Sequence, residues 1–85
     1  MPYITKVRRK LLLSKKDQAN TPGDLNFLIT TEVLKYIQNK GTCYTTFNDV
    51  LGVLEAINQE LYRRLIVPYE KSKILANGDV YFLTK

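Results

Sequence analysis

Apolar residues recur along most of the chain at spacings of three and four, the period of a helix buried on one side. Over 22–39, Leu25, Leu28, Ile29, Val33, Tyr36 and Ile37 fall in one stripe, while Phe27 and Leu34 lie well round the cylinder from it. Thr21 precedes this stretch as a cap, Pro22 suits the first helical position, Asp24 stands three residues after the cap, and Gly41 closes the far end. The pattern predicts a helix over 22–39. A longer one is predicted over 46–67, with Thr46 and Asp49 as its capping box and Phe47, Val50, Leu51, Leu54, Ile57, Leu61 and Leu65 as its core stripe. Asn58 falls inside that stripe as a polar group set for burial. Pro68 has no amide donor, so the helix is expected to kink there, or to stop and restart.

The flanks are weaker in pattern. Residues 7–14 fit a short basic helix, 15–20 a loop, and 69–76 a last short helix closed by Asn77 and Gly78. The tail over 79–83 has strand character and can pair with 2–5, in the same subunit or a neighbour. The expected fold class is all-α, with two main helices, short flanking helices and short terminal strands. The chain reads as one domain over 1–85, with a basic arm over 1–20 and an extended tail over 79–85.

Length sharpens this. A chain of 85 residues is near the size at which one core becomes marginal and partner subunits complete it, so a helical homo-oligomer is expected. The wide apolar arc of the first main helix points the same way, with Phe27 and Leu34 as interface positions. Glu32 lies beside Leu25, Leu28 and Tyr36 on the wheel, where partial burial would call for an arginine partner. No apolar run approaches the roughly 20 residues that span a bilayer, and the run at 11–13 is far below the 7–15 or so of a signal sequence. With one cysteine, Cys43, and no histidine, the expected setting is a reducing cytoplasm without a disulfide or a metal site.

The net charge of +5 is unevenly placed. Lys6, Arg8, Arg9, Lys10, Lys15 and Lys16 all precede the first acid, Asp17. Such an arm binds nucleic-acid phosphates by counterion release, or forms a solvated basic surface and nothing more. In the long helix, Gly52, Ala56, Gln59 and Arg63 share a second face. Glycine costs about 1 kcal/mol of helix propensity relative to alanine, so Gly52 and Ala56 mark a place where another helix or a ligand comes close. Glu55 with Gln59, and Glu60 with Arg64, are spaced as surface pairs. Arg63 and Arg64 point about 100° apart, so one is expected to face a ligand or partner and the other an acid. Arg63, Arg64, Tyr69, Lys71 and Lys73 are the candidate ligand residues, by bidentate recognition of an anion and stacking on a base. An ion-pair cluster with Glu32, Glu60 or Glu70 is the competing reading. Without histidine, phosphate loop, nucleophile elbow or dense carboxylate pairs, neither enzyme activity nor a cofactor is expected.

The start Met1-Pro2-Tyr3-Ile4, the segment Gly23-Asp24-Leu25-Asn26-Phe27-Leu28-Ile29-Thr30, Glu55 with Tyr62-Arg63-Arg64, Pro68-Tyr69-Glu70, Lys73 and Asn77-Gly78-Asp79-Val80-Tyr81 carry a resemblance. On these residues the chain resembles a family of small bacterial and phage proteins that has no established activity. Members of that family end near the position of Tyr81 and are more acidic near the start. This chain departs in 82–85 and in its basic arm.

Three functions follow as expectations. The first is a non-enzymatic oligomeric module gripping an anionic ligand such as a nucleotide, which a phage would use to sequester a host signalling nucleotide. The second is nucleic-acid binding through the basic arm. The third is a protein–protein adaptor or structural subunit, with the arginines paired to acids.

Overall fold

The computed structural model describes residues 4–81. It contains α1 (Lys6–Leu13), α2 (Pro22–Lys40), α3 (Tyr44–Leu61) and α4 (Val67–Asn77), with a π-helical turn over Tyr62–Ile66 joining α3 to α4. No strand occurs among the described residues. Of the expected terminal pair, Ile4, Thr5 and 79–81 are irregular, while 2–3 and 82–83 lie outside the described residues. The chain divides into two compact units between Phe47 and Asn48.

Both helices of the first unit start on a threonine. Thr5 and Thr21 hold extended backbone, and their hydroxyls accept from the amides of Arg8 and Asp24, each at 3.1 Å. α1 ends with Lys15 in the left-handed region at φ 60°. The Lys15 amide donates to the Leu12 carbonyl and the Lys16 amide to that of Leu11, both at 3.1 Å, which is a Schellman closure with lysine where glycine is usual. α2 ends at Gly41, with φ 109° and its amide on the Ile37 carbonyl at 2.8 Å. The predicted end over 22–39 falls one residue short.

Among the described residues, Leu12 is the one large apolar side chain that is buried; the other buried groups are Asp24 and Thr46. α1 packs against α2. The covered side of α2 takes in only part of the predicted stripe: Leu28, Val33 and Ile37 are half-buried together with Phe27, whereas Leu25, Ile29 and Tyr36 of the stripe, and Leu34, are exposed. Helical period alone does not say which part of a wide apolar arc the short α1 covers. Glu32 is exposed and pairs with Lys35 at 3.4 Å, one helical turn along, in place of the expected buried arginine pair.

The start of α3 corrects the predicted box. Thr46 lies inside the helix rather than at its cap, is buried, and sits 3.5 Å from the Cys43 sulfur. The first helical bond runs from the Phe47 amide to the Cys43 carbonyl. Short turns after Gly41 leave the helix free to start at Tyr44, two residues before the Thr–Asp pattern implied. Beyond Val50, the predicted core stripe, including Asn58, is exposed in the single chain. The helix neither stops nor restarts at Pro68. In the turn before it, the Val67 amide donates to the Tyr62 carbonyl, five residues back. A π-turn leaves one carbonyl short of a donor and a proline removes one donor, so placing both in the same stretch confines the defect. α4 then closes on Gly78 at φ 88°.

The left-handed lysine generates a prediction. Lys15→Gly is expected to raise the unfolding free energy in urea by about 0.5–1 kcal/mol, because glycine adopts this conformation without a Cβ penalty. An unchanged or lower midpoint contradicts the closure.

Candidate functional site

Threonine caps bring the third residues of α1 and α2, Arg8 and Asp24, to equivalent places at two helix starts. A cation there opposes the helix dipole of α1, whereas an acid favours that of α2. The two side chains meet. One Asp24 carboxylate oxygen accepts from Arg8 Nε at 3.0 Å and Nη2 at 2.6 Å, and also from the Asn20 amide at 3.1 Å. The other side of the guanidinium donates to Asp17 and to the Gln18 carbonyl, the latter at 3.0 Å. Asp17 in turn accepts from the Gln18 amide at 2.8 Å. Thus one planar fork ties α1 to the connecting loop and to the first turn of α2.

Each charge stabilises the other. The Arg8 guanidinium, and then the Asn20 amide, hold the Asp24 carboxyl down to about 2 from an ordinary 3.8. Arg8, and then the Gln18 amide, lower Asp17 as well. Asp24, and then Asp17, push the arginine further up from its already high value. Asp24's side chain is only 5% exposed against 23% for Arg8, so the acid is the more dependent partner.

Of the six cations named from the sequence, Arg8 is therefore an internal tie. Lys6, Lys10, Lys15 and Lys16 are exposed and Arg9 is half-buried. None of these five has an acid partner among the described residues. Lys6, Arg9 and Lys10 share one side of α1, and Lys15 and Lys16 occupy the turn after it. Arg9 Nε is buried with no hydrogen-bond partner among the described residues. Residues 1–47 hold eight Lys and Arg against three Asp and Glu, and 48–85 hold five of each, so the whole net charge of +5 belongs to the first unit.

The second set of candidates is arranged differently. Arg63 and Arg64 both lie in the π-turn. Arg63 Nη2 donates to both carboxylate oxygens of Glu60, at 2.7 and 2.8 Å, in an exposed pair that contributes little in water. Arg63 lines a shallow hollow with Ala56, Gln59 and Tyr62, while Arg64 lines another with Ile57, Leu61 and Leu65. Lys73 sits 5.4 Å over the Tyr69 ring, a cation–π contact. Tyr69 and Lys71 are exposed. Glu55 and Gln59 form the expected surface bond, at 3.1 Å. Ala56 is exposed, and a Cβ built on Gly52 meets nothing within 4 Å in the chain. Among the described residues no group of three acids, cysteines or histidines is gathered as metal ligands, and no helix is long and apolar enough to cross a membrane.

Fold and surface together define a small all-α protein with its charge gathered on one unit. A family model described as a domain of unknown function (DUF6899) matches residues 1–80, and the chain belongs to that family. No curated protein and no solved structure matches the chain.

The sequence reading missed the Arg8–Asp24 tie. Its signal was present in two parallel segments, Thr5-Lys6-Val7-Arg8 and Thr21-Pro22-Gly23-Asp24, which each cap a helix and carry opposite charges at the same position. Because folding holds Asp24 at about 2, its ionised form favours the folded state: the contribution is complete above 3.8 and disappears as the pH falls from there through about 2. Helical circular dichroism in fixed urea should accordingly drop across that window. Asp24→Asn is expected to be less stable at neutral pH and to show a flatter acid profile. An unaltered profile contradicts the tie.

Proposed function

We propose that the protein is a non-enzymatic, oligomeric binding module whose N-terminal unit grips the phosphate backbone of a nucleic acid. The observation that carries this reading is the separation of charge. Arg8 takes up both nearby acids, and Lys6, Arg9, Lys10, Lys15 and Lys16 are left without acid partners around one short helix and its closing turn. Cations placed this way release counterions on binding a polyanion and read no base edges, so affinity without sequence preference is the consequence. Lysine in the left-handed position at 15 supports the same reading, since a cation stands where glycine would be easier for the backbone. A bacterial or phage-infected cytoplasm supplies such ligands.

A second reading keeps the small anionic ligand at the arginine pair. π-turns recur at functional sites, and this one carries Arg63 and Arg64, with Arg64 exposed. Against it, Arg63 already grips Glu60, and the two guanidiniums line different hollows.

Fluorescence anisotropy of the full chain with a short labelled DNA duplex and a single-stranded RNA tests the first reading. Five phosphate contacts imply an affinity loss on the order of several hundredfold between 50 and 200 mM salt. Changing Lys6, Lys10, Lys15 and Lys16 together to Gln is expected to remove most binding, whereas Arg64→Ala leaves it unchanged. No binding at low salt, or binding indifferent to the four lysines, overturns the proposal. Displacement of the duplex by a mononucleotide that depends on Arg64 favours the second reading.

A further inference from the structure

In the second unit, α3 places Leu51, Leu54, Asn58 and Leu61 at alternating spacings of three and four, which are the a and d positions of a seven-residue repeat, with Ile57 beside them. Leu51, Leu54, Ile57 and Leu61 are 64, 37, 50 and 49% exposed in the single chain. The neighbouring polar positions are occupied among themselves, Glu55 with Gln59 and Glu60 with Arg63. Residues 48–85 carry five acids and five bases, so two copies meet here without net repulsion.

Asn58 fixes the arrangement. A lone asparagine at an a position finds its hydrogen-bond partner in the same residue of a parallel, in-register neighbour; any other register buries its amide against leucine. We infer that α3 pairs in parallel and in register with α3 of a second copy, Leu54 and Leu61 meeting their counterparts and the two Asn58 amides bonding across the seam. The π-turn inserts an extra residue after Leu61, removes Leu65 from the repeat and ends the seam. This inference takes from the proposed function only that the chain oligomerises, and it stands whether or not the first unit holds nucleic acid.

Sedimentation equilibrium of the full chain in reductant, without nucleic acid, tests it directly. The expected mass is twice the 9.8 kDa of the chain, and Leu54→Lys, an exposed position in the single chain, is expected to sediment as a helical monomer. Leu51→Cys, in a chain that also carries Cys43→Ser, is expected to give a covalent dimer on mild oxidation, because parallel in-register a positions lie within disulfide reach. A monomeric wild type at near-millimolar concentration overturns the proposal. So does a dimer that Leu54→Lys leaves intact, or one that Leu51→Cys fails to link.

Discussion

The guanidinium of Arg8 holds the first unit together. It donates to two carboxylates and a carbonyl drawn from a loop and the first turn of another helix, in a unit whose one buried large apolar side chain is Leu12. So small a core cannot fix the angle of an eight-residue helix by itself. A planar fork can, because each of its bonds has a direction. Ion pairs of this kind contribute through the damage done by breaking them: without Arg8, the buried Asp24 carboxylate would keep the Asn20 amide but lose its charged partner.

The same interaction decides what the surface presents. An arginine that takes up both nearby acids leaves the other cations of the arm without neutralising partners, and the first unit keeps the entire net charge. The second unit is neutral and long-helical, with leucines on one side and satisfied polar pairs elsewhere. One unit thus carries the whole net charge and the other an exposed apolar face. The family model, over 1–80, spans residues of both units.

Much of the local structure was legible in the sequence. Thr21, Pro22 and Gly41 mark the ends of α2 because capping, a fixed φ and a positive φ are properties of single residues. Thr46 and Asp49 misled because a Thr–Asp spacing of three also occurs inside a first turn, where Thr46 here meets Cys43 instead. Pro68 was read as a kink or as a stop and restart, since sequence period carries no hint that a π-turn precedes it. The site was less legible than the fold. Lys6, Arg9, Lys10, Lys15 and Lys16 lie where the charge run put them, but Arg8 was counted among the surface cations, and its withdrawal depends on a contact across sixteen residues that no helical period encodes. Arg63 and Arg64 were read as candidates for one ligand although they diverge on the helix, and the hollows they line in and before the π-turn are different ones.

The account rests on the shape of the Arg8 head group, beyond its charge, and Arg8→Lys isolates that shape. Lysine keeps the net charge of +5 but cannot span Asp17, Gln18 and Asp24 at once. Native-state amide hydrogen exchange of this variant is predicted to lose protection over α1 and the first turn of α2, while α4 exchanges as in the wild type. Protection over α1 equal to that of the wild type would contradict the account.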